Sequence, residues 1–347
     1  GSLGLTATRH KTLTLIAYLD DWLEQEALEV KPSAIATYRA ELAHVKSILG
    51  RHKLTSITPA DVQRMMREIV GKQVTYVYHR TTAGKESRRT ITLTARATNQ
   101  AKGILGNALD DAMVLGLIAA NPARPVRSLK HEAKVLTVWT AGEIIAFTNT
   151  TLGEGADYHA LFYLALTAGL RAGELLALEW DDLTGNRLHV ARTMNSYGDV
   201  TAPKSAASNR ILTLADDTVS TLQRHRAGLA EARIESPLMF PTSTGRMGNH
   251  SNLLRAPRFW SARAGDAPIR IHDLRYTFAS MSIAAGTNVV DLARQLGHED
   301  PGFTLMRYAH FFERATPRAA LTLAQLTGPE NRKVVILGGN RVGAGPN

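Results

Sequence analysis

The sequence predicts a two-domain, mainly α-helical protein. A helical N-terminal domain carries an inserted β-hairpin, and a C-terminal α+β domain carries a small three-stranded sheet. The chain has 347 residues, which is more than one small core organises. Apolar residues recur at steps of three and four through its first third, as in amphipathic helices. Short stretches rich in β-branched residues interrupt these helical patterns, which indicates strands.

The predicted organisation has five parts: a leader over 1–10, a helical domain over 11–121, a linker over 122–136, a second domain over 137–327 and a flexible tail over 328–347. Gly1 and Ser2 are typical of a vector-derived leader. Two prolines, Pro122 and Pro125, end the first helical run, and a basic stretch follows them. A capping box that begins at Thr140 opens the second domain. The tail is rich in Gly, Asn and Pro, which favours a flexible segment.

Capping residues and periodicity predict the helices of the first domain. One helix begins near Pro32 and ends at Gly50, and its apolar positions are Ile35, Tyr38, Leu42, Val45 and Leu49. A second follows Thr58 as N-cap, with Pro59 in the first helical position. A third is expected over 98–117.

Between these helices, two segments alternate in polarity and are rich in β-branched and aromatic residues. They cover 73–79 and 88–94 and are separated by a short polar stretch. This pattern predicts a β-hairpin inserted in the helical domain.

The second domain combines helices with three short strands. Helices are predicted from the capping box to Trp180, and again, with loops, from Asp216 to Leu326. The strands between them are expected over 187–192, 199–203 and 210–214. We therefore expect a small three-stranded sheet between two helical regions.

The composition favours a nucleic-acid partner and excludes several kinds of site. The chain has 41 Lys and Arg against 31 Asp and Glu, a net charge of +10 and a pI near 9.9. This excess of positive charge favours binding to the phosphates of a nucleic acid, although a basic enzyme that acts on another substrate would show the same charge balance. The chain has no cysteine, which excludes disulfides, thiolate zinc sites and cysteine nucleophiles. No apolar run approaches the ~20 residues that span a bilayer and no signal peptide is evident, so we expect a soluble, cytoplasmic protein.

Some basic residues are candidates for DNA contacts: Arg80, Lys85, Arg88 and Arg89 of the hairpin, and Arg127 and Lys130 of the linker. In the hairpin they alternate with Tyr76 and Tyr78, so they could grip the backbone or reach a groove. A solvated hairpin with no DNA contact is the alternative.

Six residues beside turns and helix ends form a set suited to a phosphodiester: Arg171, Lys204, His272, Arg275, His298 and Tyr308. Arginine offers planar, charged, bidentate donors for phosphate oxygens. A tyrosine hydroxyl can become a covalent nucleophile. The set contains no paired carboxylates, so it does not resemble a magnesium site.

The two arginines are predicted at the starts of helices. Arg171 follows a turn that ends one helix and starts another, and Glu174 lies one turn on, where it can orient the guanidinium. An ordinary surface ion pair explains the same spacing. His272 and Arg275 share one face of a first helical turn, where free N–H groups favour an anion. A capping histidine beside a solvated arginine is the alternative.

The other three residues have ordinary explanations when taken singly. His298 follows Gly297, which ends a helix, and a histidine there is usually structural. Tyr308 follows a short helix that begins near Pro301, and such a tyrosine usually packs in a core. Lys204 lies in a loop between strands, where most lysines are solvated. Taken together these explanations fail, because no structural requirement places these six types in this order.

Four segments that contain the six residues resemble the tyrosine recombinase, or phage integrase, family: TAGLRAGELLALEW, TAPKSAASNR, IHDLRYTFA and LGHEDPGFTLMRYAH. The likeness covers about residues 11–326. It implies a helical core-binding domain and a catalytic domain that clamp duplex DNA. It also implies strand exchange through a 3′-phosphotyrosine and a Holliday junction, without metal, ATP or cofactor, which would integrate or excise a phage or mobile element.

The resemblance also implies a role for each site residue. Tyr308 attacks the scissile phosphate, Arg171 and Arg275 hold its non-bridging oxygens, and Lys204 protonates the leaving 5′-oxygen. His272 and His298 hydrogen-bond the phosphate and manage the proton of the nucleophile.

Assembly follows from the same resemblance. It implies a homotetramer on DNA, accessory DNA-bending or excision factors, and docking of an amphipathic helix over 313–326 onto a neighbouring protomer. The alternative for this helix is packing onto its own domain.

Three other functions stay open. A type IB topoisomerase uses a similar site but acts as a monomer, and the LGHED and MRYAH spacing disfavours it. A DNA-binding relative without activity is expected to have lost one of the six residues. An unrelated basic enzyme is disfavoured because no nucleotide-binding glycine loop is present.

Overall fold

A computed structural model describes residues 12–79, 86–131, 137–195, 197–203 and 205–315. The chain divides into two compact units, Gly1–Lys134 and Val135–Asn347, and each has its own hydrophobic core. Helices dominate both units and the sheets are small and antiparallel, which confirms the predicted fold class. Within these described ranges, none of the helices combines the length and apolarity that a membrane crossing requires.

The described part of the first unit contains four α-helices and a hairpin: α1 (Leu15–Glu29), α2 (Pro32–Leu49), α3 (Pro59–Ile69), β1 (Gln73–His79), β2 (Glu86–Thr92) and α4 (Ala95–Val114). Helix α2 has the predicted bounds, α3 begins at Pro59 as predicted, and Thr58 caps α3 through its hydroxyl. Trp22 of α1 stacks on Tyr38 of α2 with ring centroids 5.8 Å apart. Its indole N–H donates to Asp111 of α4 at 2.7 Å, which ties the first helix to the last.

The strand and helix around Thr94 begin and end earlier than predicted. The Thr94 hydroxyl accepts a hydrogen bond from the amide of Ala97 at 3.3 Å, so α4 begins at Ala95 rather than at Thr98. A threonine that caps a helix is no longer part of a strand. Accordingly, β2 ends at Thr92, where it pairs with Gln73 of β1.

Most of the segment expected to be a linker packs against the first unit. Ala123 and Val126 are buried in the core of that unit. The side-chain amide of Asn99 donates to the Leu129 carbonyl at 2.9 Å and accepts from the Leu129 amide at 2.8 Å. Residues 122–131 therefore pack along α4, and residues 132–136 lie outside the described residues.

The described part of the second unit begins with α5 (Ala141–Glu154), α6 (Ala156–Ala168) and α7 (Ala172–Leu176), then has short strands, and ends with helices. The strands are β3 (Leu183–Thr184), β4 (Arg187–Val190), β5 (Thr193–Met194), β6 (Val200–Thr201) and β7 (Arg210–Thr213). The later helices are α8 (Asp216–Glu231), α9 (His250–Arg263), α10 (Ile271–Ala284), α11 (Val289–Leu296) and α12 (Pro301–Ala315). Thr140 and Glu143 form the predicted capping box at α5.

A three-stranded sheet is present, but one of its strands was not predicted. Its order is β3-β4-β7, whereas the segment expected over 199–203 contributes β6 to a separate pair with β5. The Asn195 side chain accepts hydrogen bonds from the amides of Tyr197 and Asp199, which folds β5 back onto β6. The strand that was not predicted, β3, is connected to β4 by a turn that contains Gly185, whose φ is +61°.

Helix α10 lies at the centre of the elements that position the candidate site. Helix α10 packs against α6, α9, α11 and α12. Tyr308 lies within α12 rather than after a short helix, because the helix that begins at Pro301 continues to Ala315. The helix predicted over 313–326 is therefore described only in its first three residues, as the end of α12. Residues 316–326 and the tail over 328–347 lie outside the described residues.

Candidate active site

Arg171 is held at the junction between α6 and α7. Gly169 ends α6 in the left-handed conformation at φ +64°, and a Cβ there would lie 2.3 Å from the Phe278 ring. The Arg171 amide donates to one oxygen of Glu174 at 2.9 Å, and its guanidinium donates to the other at 2.8 Å. The guanidinium also donates to the Gly297 carbonyl at 3.1 Å. Glu174 thus accepts hydrogen bonds from both the backbone and the side chain of Arg171.

Arg275 is buried and reaches the ends of two helices. Its side chain donates to the carbonyl of Gly169 at 2.7 Å and to that of Leu296, at the C-terminus of α11. The last carbonyls of a helix have no partner within the helix and carry the negative end of its dipole. Burial, together with the charge of Arg171, lowers the pKa of Arg275 to about 9, so its guanidinium is charged at neutral pH.

His298 lies between Arg275 and Thr304. Its Nε2 is 3.0 Å from Arg275 Nη2, and its Nδ1 is 2.6 Å from the Thr304 hydroxyl. Burial and the charge of Arg275 lower its pKa to about 4, so the imidazole is neutral at pH 7. His272 is more exposed, and its ring packs edge-on against Tyr276 with centroids 4.8 Å apart. Desolvation and Arg275 also lower the pKa of His272.

Tyr308 is only 1% exposed, among the apolar residues of α10 and α11. Its ring packs edge-on against Tyr276, at 5.9 Å between centroids. Arg307 donates to the Tyr276 hydroxyl and lies over the Tyr276 ring. Burial raises the pKa of Tyr308 to about 12, although the charges of Arg275, Arg307 and Arg171 act in the opposite direction. The phenol is therefore protonated at neutral pH.

A buried arginine that the sequence did not single out lies behind this site. Arg210, the first residue of β7, donates to both oxygens of Glu174, at 3.1 and 3.0 Å. Burial alone would raise the pKa of Glu174, but the hydrogen bonds and charges of Arg210 and Arg171 lower it. The two residues are far apart in the chain, and no local pattern pairs them.

The predicted residues fall into three groups. The structure brings Arg171, Arg275, His272, His298 and Tyr308 together in the second unit, linked through the contacts given above. Lys204 lies outside the described residues, as do Arg80 and Lys85. The remaining candidates for DNA contacts are exposed on the first unit: Arg88, Arg89, Arg127 and Lys130. Among the described residues, no group of three His, Asp or Glu is arranged to hold a metal ion.

Comparison with known proteins gives two family matches. A model described as the phage integrase family matches residues 134–314, and one described as a phage integrase N-terminal SAM-like domain matches residues 14–69. Together they cover most of the chain.

Curated relatives match along most of their length. The putative prophage phiRv2 integrase of Mycobacterium tuberculosis is 27% identical over 330 residues, which covers 91% of this chain and 79% of the relative. The ICEBs1 integrase of Bacillus subtilis is 21% identical over 317 residues, with 83% and 86% covered.

Solved structures share the fold. A lambda integrase dimer bound to a COC′ core site superposes with a TM-score of 0.63 at 17% identity, over 90% of this chain and 100% of the other. The Tn1549 transposon integrase in complex with transposon right end DNA superposes with a TM-score of 0.70 at 16% identity, over 90% and 97%.

Proposed function

The chain belongs to the phage integrase family of tyrosine-type site-specific recombinases, and from this premise we propose that it cleaves and rejoins DNA through a covalent bond between Tyr308 and a 3′-phosphate. Two rounds of this exchange, through a Holliday junction, would integrate or excise a phage or other mobile element. The observation that carries the proposal is the convergence of Arg171, Arg275 and His298 at the ends of α6 and α11, with Tyr308 packed beside them.

The proposed chemistry assigns a role to each residue. The Tyr308 oxygen attacks phosphorus, and its proton passes to a neutral histidine: to His272, or to His298 once the phosphate has replaced Nε2 as the acceptor for Arg275. The bond to the 5′-oxygen breaks, and Lys204 gives that oxygen a proton. Arg171 and Arg275 stabilise the charge on the non-bridging oxygens, which is the main requirement of phosphoryl transfer. The phosphotyrosine conserves the energy of the bond, so a 5′-hydroxyl of another strand reverses the step without ATP.

Attack requires the phenol to lose its proton. The Tyr308 side chain is 1% exposed and burial raises its pKa, so the proposal requires bound DNA to bring the phosphate to the hydroxyl and a histidine to accept the proton. The Arg171 and Arg275 guanidiniums are close enough for the charge of Arg171 to lower the pKa of Arg275. A bound phosphate would raise the low pKa values of the histidines, because an anion favours their protonated form.

Assembly and DNA contacts belong to the same proposal. The lambda integrase structures include a dimer on a core site and a tetramer on a Holliday junction, which supports a homotetramer of this chain on its DNA sites. We propose that the basic residues of the first unit contact DNA, that the segment 313–326 docks on a neighbouring protomer, and that accessory factors bend the DNA. Truncation after Phe312 should weaken assembly more than binding to a single site.

Covalent trapping tests the proposed function. Purified protein is incubated with a fragment library of the element and its host chromosome, denatured, and the DNA attached to protein is sequenced to map the cleavage site. Tyr308→Phe should abolish the attachment and leave site binding intact, whereas Tyr276→Phe, which removes the neighbouring phenol hydroxyl, should still form it. An adduct formed by Tyr308→Phe on a denaturing gel would contradict the role of Tyr308.

A further inference from the structure

Arg210 is a buried hub between segments that carry the candidate site. Its side chain is 7% exposed. Its Nε donates to the Gln295 carbonyl at 2.7 Å, near the end of α11, and its Nη1 donates to the Ser208 carbonyl at 3.1 Å. The other two bonds go to the oxygens of Glu174. Four of the five N–H donors of an arginine are therefore used within the protein.

The same guanidinium lies against the turn that presents His298. A Cβ added at Gly297 would lie 2.9 Å from Arg210 Nη1 and 3.1 Å from the Ala207 carbonyl. Gly297 has φ +65° and its carbonyl accepts from Arg171. Arg210 therefore restricts the position of the Gly297 backbone. Because His298 is the next residue, the same restriction determines how its ring lies against Arg275.

Arg210 and Arg171 share the Glu174 carboxylate unequally. A carboxylate and a guanidinium pair best through two parallel hydrogen bonds. Here Arg210 forms that bidentate pair on the buried side, whereas the Arg171 guanidinium reaches only one oxygen of Glu174. Arg171 keeps a side chain that is 35% exposed, with donors that Glu174 does not occupy.

We infer that Arg210 is a positioning residue for the phosphate: it occupies the buried side of Glu174 so that Arg171 remains available to the non-bridging oxygens, and it fixes the turn that carries His298. This inference rests on the proposed function. Arg210 itself does not touch the phosphate, because its donors point at protein acceptors and its side chain is covered.

The test must separate positioning from folding, because removing one partner of a buried ion pair leaves an unpaired charge and can unfold the protein. Four variants are compared with wild type: Arg210→Met, Arg210→Lys, Glu174→Gln, and the double variant Arg210→Met with Glu174→Gln. Arg263→Met is the matched control, since it breaks the exposed ion pair between Arg263 and Glu154 in the same unit. Thermal unfolding reports the fold, and the rate of covalent attachment to the duplex mapped by trapping reports the site.

We expect the double variant to unfold at a higher temperature than Glu174→Gln, because it leaves no unpaired buried charge. It should nevertheless attach to DNA about 100-fold more slowly than Glu174→Gln, because the turn that carries His298 has lost its contact with Arg210 and misplacement of a catalytic group costs about that factor. Arg210→Lys should recover part of the rate, since it restores a charge but not the bidentate geometry. A purely structural role predicts that the double variant regains both stability and rate, which would overturn the inference. If Arg210→Met alone unfolds, the attachment rate of the double variant is compared with that of Glu174→Gln, and this comparison tests the inference.

A duplex with a methylphosphonate at the scissile position gives a second readout. This group lacks the negative charge that Arg171 is proposed to meet, so the rate difference between Arg210→Lys and wild type, which both retain Glu174, should shrink on it. An unchanged difference on both duplexes would contradict action through Arg171. Failure of wild type to form any covalent complex would instead count against the proposed function, so the two failures are distinguishable.

Discussion

Arg275 Nη2 lies 3.0 Å from Nε2 of His298, and this contact determines the tautomer of the imidazole. A guanidinium can only donate, so Nε2 must accept and a neutral ring carries its proton on Nδ1. The Nδ1–H then donates to the Thr304 hydroxyl at 2.6 Å. The ring is thereby fixed from both sides, with its acceptor nitrogen directed at the arginine that we propose to bind phosphate.

Replacement of Thr304 tests this arrangement. Thr304 is fully buried, so Thr304→Val keeps its shape and removes the only acceptor given above for the Nδ1 proton. We expect a loss of about 1 kcal/mol in the free energy of unfolding and covalent attachment slowed by about tenfold, as the ring turns away. Thr304→Ser keeps the hydroxyl and should retain most of the rate. Equal rates for the two variants would show that the hydroxyl does not orient the ring.

The low pKa of His298 predicts a pH dependence of stability. Its pKa is about 4 in the folded chain, against 6.5 for an ordinary histidine, because burial and Arg275 disfavour the charged ring. The unfolded chain therefore takes up this proton first as the pH falls. The contribution of His298 is complete above pH 6.5 and is lost as the pH falls toward 4, by at most about 1.4 kcal/mol per pH unit.

Urea unfolding of wild type and His298→Asn at both ends of this pH window checks that dependence. The free energy of unfolding of the variant should fall less steeply toward acid than that of wild type. Parallel curves would mean that His298 titrates normally in the folded protein.

Helix ends were the part of the fold that the sequence predicted best, because capping depends only on a few neighbouring residues. Gly50 and Gly297 end helices and Thr140 begins one, as expected. The strand β3 was missed although Gly185 and Asn186 form a short turn signal, because two residues on each side are too few to show alternation.

The site was predictable in its residue types but not in its contacts. Arg171, Arg275 and His298 stand beside turns that the sequence reveals. The pairing of Glu174 with Arg210, and of His298 with Thr304, depends on how β7 and α12 pack, which no periodicity encodes. The burial of Tyr308 agrees with the ordinary explanation given above for a tyrosine beside a helix, but the sequence does not show which side chains cover it.

The turn at Gly169 should be intolerant of any side chain. Its φ of +64° costs a non-glycine residue about 1–2 kcal/mol, and a Cβ would lie 2.3 Å from the Phe278 ring, which adds about 1–3 kcal/mol. We expect Gly169→Ala to lose about 3 kcal/mol in urea unfolding. Gly185→Ala is the matched control: its φ is +61° but no other atom lies within 4 Å, so only the backbone cost of about 1 kcal/mol applies. Equal losses in the two variants would remove the argument from close packing.

The hairpin offers a test of how the first unit meets DNA. Arg88 and Arg89 are adjacent in β2, so their side chains leave opposite faces of the strand. Arg89 pairs with Tyr76 on the face that continues to Val74, which packs against the core, whereas Arg88 shares its face with the exposed, hydrogen-bonded pair of Thr75 and Thr90. Only one face of a two-stranded ribbon can lie against a DNA backbone at a time.

We therefore expect one of the single variants, Arg88→Gln or Arg89→Gln, to reduce the slope of log affinity against log salt by about 0.9, the value for one lost phosphate contact, and the other to leave it unchanged. Binding of each variant to the mapped duplex, titrated at several salt concentrations, measures the slope. Arg64→Gln, which removes an exposed arginine paired with Asp61 on α3, is the control for a general change in charge. If neither variant changes the slope more than Arg64→Gln does, β2 does not contact phosphate and the DNA contacts of this unit lie elsewhere. If both variants change it equally, both faces of the strand contribute phosphate contacts, which would contradict docking through a single face.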